Sequence, residues 1–329
     1  MNTINAVLCT VQYDDARLEK IAKAFAPAPV YFHKPRDAES IRSVIHKVDV
    51  VVLESDLNDL ILEGKNLKWV HCSHSGLTKS ARKEVFDRNI ILTGAAGRSA
   101  PSLAEHALFF ALSFVYDVYR LHDGHKEHNL QGFVKQYSNS RGMNGQTMGI
   151  IGYGNTGQAL AKRAKALDMR VLVYSRSARE KSDFVDEYYA MDKGDTVDAL
   201  LRESDFLVLC CHLSDETYHM IGEKQFGMMK KSAILINMAR GGVVDEKALY
   251  QALKDKTIAG AGCDVFDEEP LPPDNPLWDL PNIMITPHMT PRVPSIQDSA
   301  LNILLDNVER YKKGEPMRNR LSERDMYTK

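Results

Sequence analysis

The sequence predicts an α/β fold made of two open, doubly wound parallel sheets, and three observations lead there. Short apolar runs of strand length alternate with polar stretches of helical spacing along most of the 329 residues. The runs form two series, separated by one long apolar segment that starts near Pro101. A glycine-rich turn, Gly152-Tyr-Gly154-Asn-Thr-Gly157, opens the second series between a strand-like and a helix-like stretch.

This length is more than one core ordinarily serves, so two domains are expected. The net charge of −2, with signs interspersed and no basic stripe, argues against a nucleic-acid face and for small partners. No uninterrupted apolar stretch could span a bilayer, and Met1-Asn-Thr-Ile-Asn-Ala lacks a basic region followed by an apolar core, so neither membrane insertion nor secretion is expected. Five cysteines, Cys9, Cys72, Cys210, Cys211 and Cys263, show no CxxC spacing and read as reduced thiols of a cytoplasmic protein.

The first series of strands is Ala6 to Cys9, Val30 to Phe32, Asp49 to Leu53, Leu67 to Cys72 and Ile90 to Thr93, with helical segments such as Asp15 to Phe25 between them. Ser102 to His122 contains no Gly or Pro and reads as one long helix, opened by Pro101 and closed near Gly124. The second series has six strands: Met148 to Ile151, Arg170 to Tyr174, Phe206 to Cys211, Ala233 to Asn237, Ile258 to Phe266 and Ile283 to Thr286. An amphipathic helix over Ser295 to Lys312 follows, and it is expected to return to the first domain. The domains are then 1–101 with 292–329, and 102–291.

In the glycine turn, Gly152 permits the tight bend, Gly154 lets backbone approach a pyrophosphate, and Gly157 allows close packing of helix on strand. Asn155 and Thr156 offer amides and a hydroxyl at a helix start, where negative charge is favoured. The next strand ends in Ser175-Arg176-Ser177, where an enzyme reading a bare ribose keeps an acid. Hydroxyls and a guanidinium suit a 2′-phosphate, so NADP(H) is expected, with NAD(H) as the alternative. Asp183 and Asp186 sit too far along to fill the strand-end place.

Arg240, Glu269 and His288 each follow a strand of the second series, where open sheets bind their ligands. A guanidinium, a carboxylate and an imidazole can together hold an anion and move a proton. Their surroundings are Asn237-Met-Ala-Arg240-Gly-Gly, Gly262-Cys-Asp264-Val-Phe-Asp-Glu-Glu269-Pro270 and Ile285-Thr-Pro-His288. In this order and spacing, they resemble the three signatures of the D-isomer-specific 2-hydroxyacid dehydrogenases. Ala104-Glu105-His106 and Leu209 to Thr217 extend the resemblance over essentially the whole chain.

The resemblance implies a Rossmann domain inserted in a flavodoxin-like substrate domain, with hydride exchange between a nicotinamide cofactor and a small 2-oxo acid or D-2-hydroxy acid. It implies that Arg240 grips the substrate carboxylate and carbonyl, His288 protonates the carbonyl oxygen, Glu269 holds the imidazole and Asp264 meets the nicotinamide carboxamide. Cofactor contacts implied on the same grounds are His212, Thr217, Met238, Ala239, Arg240 and His288. The loop His71-Cys-Ser-His74-Ser75-Gly76 matches the family's carboxylate loop, making His74, Ser75 and Gly76 candidate substrate contacts and leaving His71 either a contact or a structural histidine. The family packs the long helix across a two-fold axis, which implies a homodimer.

Departures from the pattern fall around the substrate: Leu77-Thr78-Lys79 after the carboxylate loop, His212-Leu213-Ser214 where proline is usual, and Met289-Thr-Pro-Arg292 after His288, with Arg292 either a second anion contact or solvent-facing. His122, His125 and His128 read as a solvated helix end, since the chemistry calls for no metal. A rival reading is a nucleotide-sensing binding protein, such as a corepressor, on the same fold.

Overall fold

Five strands form an all-parallel sheet in one part of the chain: β1 (Val7–Cys9), β2 (Val30–Phe32), β3 (Val50–Leu53), β4 (Trp69–Cys72) and β5 (Ile91–Gly94), in the order β2-β1-β3-β4-β5. Every residue of β3 and β4 is buried, as expected of strands covered on both faces, and this is why they read as unbroken apolar runs. The computed structural model describes residues 2–129, 142–180, 182–290 and 293–329. Its contacts divide the chain into two units, one of Met1–Ser99, Ser214–Glu216 and Arg292–Lys329, the other of Ala100–Leu213 and Thr217–Pro291. Arg292 lies outside the described residues.

In the first unit, the helix Asp15–Phe25 starts where Asp14 accepts from the Arg17 amide at 2.9 Å, satisfying a donor that the helix leaves over. The final helix, Ile296–Lys313, brings Leu301, Leu304, Val308 and Tyr311 onto Val7, Cys9, Val50 and Trp69. Tyr311 stacks on Trp69 with ring centroids 5.2 Å apart.

His71 lies inside this unit on β4, fully buried. Its Nδ1 is 2.9 Å from Thr93 Oγ1, which also accepts from Trp69 Nε1 at 2.8 Å. The other ring nitrogen, Nε2, is buried and unpartnered. Burial drives this imidazole down to about 3. Between that value and the ordinary one of about 6.5, the unfolded chain binds a proton that the folded chain refuses, so stability rises with pH there and is lost on acidification. Replacing His71 with Gln should remove up to about 1.4 kcal/mol per pH unit of the acid-side slope in unfolding titrations between roughly pH 6 and 3. Parallel slopes for parent and variant would refute it.

The second unit holds seven parallel strands, β6 (Thr147–Ile151), β7 (Arg170–Ser175), β8 (Glu187–Ala190), β9 (Phe206–Leu209), β10 (Ile234–Asn237), β11 (Gly260–Cys263) and β12 (Ile283–Ile285), in the order β12-β11-β10-β9-β6-β7-β8. Six were expected, and β8 is the addition. It is an edge strand, Glu-Tyr-Tyr-Ala, with only Ala190 buried, so it carries no apolar run to betray it. The strand order reverses between β6 and β9, and the turns following these two strands carry the glycine motif and Cys210 to His212.

The expected single helix over Ser102 to His122 is two, Ala100–Val115 and Val118–Lys126. Asp117 separates them in the left-handed region at φ 45°, a conformation that aspartate tolerates better than most side chains. Gly124, read as the stop, lies buried inside the second helix. No described helix is long and apolar enough to cross a membrane, and all five cysteines are free.

Candidate active site

β6 ends at Ile151 and the helix Asn155–Ala166 begins four residues later, which leaves the turn no room for side chains at two points. Gly152 has φ 99°, and an added Cβ would lie 2.6 Å from the Cys211 amide nitrogen. A Cβ on Gly157 would lie 2.1 Å from the Gly152 carbonyl oxygen. A Cβ on Gly154 would meet nothing within 4 Å. Space thus remains above the amino end of the helix, whose cap residue Gly154 offers no side-chain bond to the first amides. The first-turn amides of Asn155, Thr156 and Gly157 suit a pyrophosphate there, so the residues fit a dinucleotide.

At the end of β7, Ser175 Oγ is 2.8 Å from the Ser177 carbonyl and 2.5 Å from the Tyr188 hydroxyl. Arg176 stands close enough to Cys211 for its charge to oppose burial, which pushes that thiol up to about 12. Arg176 and the glycine turn therefore share one rim. Asp186 is indeed remote from it, since its carboxylate accepts from the Val171 amide at 2.7 Å near the start of β7. The acid that the sequence reading did not weigh is Asp192: it accepts from Ser177 Oγ at 2.8 Å and its amide bonds the Arg176 carbonyl. β8 delivers both Tyr188 and Asp192 to this rim, so missing the strand meant missing them.

Three loops of the same unit carry Arg240, Glu269 and His288. Asn237, 2% exposed, shapes the first: its Oδ1 accepts from the Ala239 amide at 3.0 Å, and its Nδ2 donates to the Arg240 carbonyl at 3.1 Å. Arg240 Nη1 donates to the Ala239 carbonyl at 2.7 Å, with Met238 and Ala239 buried behind it. Gly241 sits so close to the second loop that a Cβ would lie 1.9 Å from the Phe266 carbonyl carbon. The Phe266 amide in turn donates to Glu269 Oε1 at 3.0 Å, and Glu269 Oε2 is 2.6 Å from His288 Nδ1.

Both carboxylate oxygens of Glu269 are therefore engaged, one by backbone and one by the imidazole. A ring held at Nδ1 leaves Nε2 free of that bond, and the His288 side chain is 45% exposed. His288 itself has φ 51°, a conformation costly for a side chain with a Cβ. Asp264 holds the turn in place: its Oδ1 accepts from Thr286 Oγ1 at 2.6 Å and from the Met289 amide at 3.1 Å.

Other expected site residues divide. Thr217 Oγ1 donates to the His212 carbonyl at 2.7 Å, so this hydroxyl shapes the His212 loop. In the first unit, Gly76 has φ 80°, His74 Nδ1 donates to the Ser75 carbonyl at 3.0 Å, and Arg98 Nη1 donates to the Ser73 carbonyl at 2.5 Å. His71 is part of the strand core and not of this loop. Asn237, Phe266 and Thr286 were not singled out from sequence, because their contributions are bonds that hold the loops in shape and that no motif spacing announces.

Residues 108–290 match the family model described as D-isomer specific 2-hydroxyacid dehydrogenase, NAD binding domain. Glyoxylate reductase of Thermococcus litoralis is 33% identical over 316 residues, covering 94% of this chain and 91% of that protein. Glyoxylate reductase of Korarchaeum cryptofilum is 46% identical over 173 residues, 52% of this chain, and the aligned stretch spans 50% of that relative. Among solved structures, a D-isomer specific 2-hydroxyacid dehydrogenase family protein from Aeromonas salmonicida superposes with a TM-score of 0.78 at 26% identity, over 97% of this chain and 99% of that one.

Proposed function

Because the chain belongs to the D-isomer specific 2-hydroxyacid dehydrogenases, we propose that it is an NADP(H)-dependent reductase of small 2-oxo acids, running in reverse on D-2-hydroxy acids. The observation that carries this reading is the Glu269–His288 pair at 2.6 Å, beside a guanidinium loop locked against it at Gly241.

The dinucleotide supplies the hydride when bound. Arg240 grips the substrate carboxylate and carbonyl, fixing which carbon is exposed. His288 delivers the Nε2 proton to the carbonyl oxygen, where negative charge would otherwise build. Glu269, anchored by the Phe266 amide, holds the Nδ1 proton and fixes the ring. In the oxidative direction, neutral Nε2 takes the hydroxyl proton. The other cofactor contacts in this reading are the glycine turn, Ser175 to Ser177, His212, Met238, Ala239 and Asp264. Thr217 acts through the His212 loop. His74, Ser75 and Gly76 are the substrate contacts proposed in the first unit.

The glyoxylate reductase and hydroxypyruvate reductase names of the relatives support glyoxylate and hydroxypyruvate as the first substrates to try. Incubation of the protein with NADPH or NADH and a panel of 2-oxo acids, followed by nicotinamide absorbance, tests the reading. Turnover of none would sink it and favour a nucleotide-binding regulator.

NADP(H) preference rests on Arg176 and on the lack of an acid at the end of β7 itself. Asp192, on the neighbouring segment, is already bonded to Ser177. Arg176→Asp should move the NADPH to NADH ratio of kcat/KM roughly 10- to 100-fold towards NADH, the equivalent of losing a charge-assisted hydrogen bond. An unchanged ratio would mean that the phosphate is read elsewhere. The protein is also proposed to be a cytoplasmic homodimer. Supporting the dimer, Phe109, Leu112 and Tyr116 of the segment that starts at Ala100 are 49%, 38% and 49% exposed on one apolar face.

A further inference from the structure

His106 touches both ends of the turn that carries His288. It lies on the helix Ala100–Val115, 182 residues earlier in the chain, and is 7% exposed. Its Nδ1 is 3.0 Å from Thr290 Oγ1 and its Nε2 is 3.3 Å from Thr286 Oγ1. Phe110 stacks on the ring, with centroids 4.8 Å apart and 17° between the planes.

The proton positions follow from the partners. Thr286 has one hydroxyl proton, and it goes to Asp264 Oδ1 at 2.6 Å. Thr286 Oγ1 must then accept from His106, which places the ring proton on Nε2 and leaves Nδ1 to accept from Thr290. Burial pulls the His106 imidazole below its ordinary value, outweighing the opposing charge of Asp264, and so favours the neutral ring with Nδ1 unprotonated. The chain of bonds runs Thr290 to His106 to Thr286 to Asp264, and Asp264 Oδ1 also accepts from the Met289 amide at 3.1 Å. Residues 286, 289 and 290 are tied down, and the strained residue between them is His288. Packing alone would be served by an apolar ring, which would not carry the cost of satisfying two buried polar atoms.

We propose that His106 is a positioning residue for proton transfer, holding the turn from 286 to 290 so that the His288 imidazole meets both Glu269 and the reacting carbonyl. The proposal rests on the reading of His288 as the acid–base group. His106→Phe keeps the ring stack and removes both hydrogen bonds. Thr290→Val removes one and leaves the ring in place. Both should retain the parent's unfolding temperature within a few degrees and its dinucleotide affinity. Turnover at saturating 2-oxo acid should fall about 10- to 100-fold in His106→Phe, the scale expected when a catalytic group drifts by about 1 Å. Thr290→Val should lose less, and His106→Gln, which can donate and accept, should recover part of the loss.

In a His288→Ala background, His106→Phe should cost nothing further, because the group it positions is gone. Parent-like turnover of His106→Phe, or an equal fractional loss in that background, would overturn the proposal. If the parent protein itself turns over no 2-oxo acid, the functional reading fails separately, and the positioning is then read from the His288 ring nitrogens by NMR. Displaced and broadened signals in His106→Phe would support it, and unchanged ones would overturn it.

Discussion

Replacing His288 with alanine should lower turnover about 10²- to 10⁴-fold, the range typical of removing an acid–base group, while leaving NADPH affinity near that of the parent. The separation is expected because the imidazole stands on its own turn after β12, whereas the amides proposed to bind the pyrophosphate belong to the helix after β6. The turn should survive the change: its bonds to Asp264 come from Thr286 and from the Met289 amide, and neither uses the His288 ring. Stopped-flow turnover and fluorescence titration with NADPH read the two quantities independently. An equal loss in both would make His288 a structural residue and remove the basis of the proposed chemistry.

The second large effect is expected from a residue with no side chain. In Gly241→Ala the new methyl would lie 1.9 Å from the Phe266 carbonyl carbon and 2.3 Å from the Asp267 amide nitrogen. Both are backbone atoms, so no rotamer change relieves the clash and the two loops must part. One carries Arg240, and the other anchors Glu269 through the Phe266 amide. A shift of about 1 Å there should cost about 100-fold in kcat/KM. The overpacking itself should cost about 1–3 kcal/mol of stability. Activity assays and thermal unfolding check the two halves, and a variant with parent-like values in both would show that the loops are not coupled through this contact.

The parts of the fold that were legible in sequence are those with a local cause. Apolar runs such as Val50 to Leu53 exist because their strands are covered on both faces, and a glycine turn between strand and helix has one main physical use. β8 was missed because an edge strand with one buried residue needs no apolar pattern, and with it went Tyr188 and Asp192 beside Ser175 and Ser177. The helix break at Asp117 was missed because a left-handed aspartate leaves no mark beyond a common residue type. In the candidate site, charged side chains at strand ends were legible. The supports were not, because His106 joining Thr286 and Thr290, or Gly241 abutting Phe266, depends on which distant segments the fold brings together.

The first unit is assembled from the two ends of the chain, and that affects its synthesis as well as its architecture. The apolar face formed by Val7, Cys9, Val50 and Trp69 is closed by Leu301, Leu304, Val308 and Tyr311. A ribosome adding about 5–20 residues per second needs roughly 10–40 s to make the intervening ~200 residues. During that interval, the amino-terminal strands exist without their cover, and all seven strands of the second unit are made before the covering helix. The nascent chain is therefore built to finish its nucleotide-binding half first and to seal its other half last, and the period of greatest aggregation risk falls before the last helix emerges.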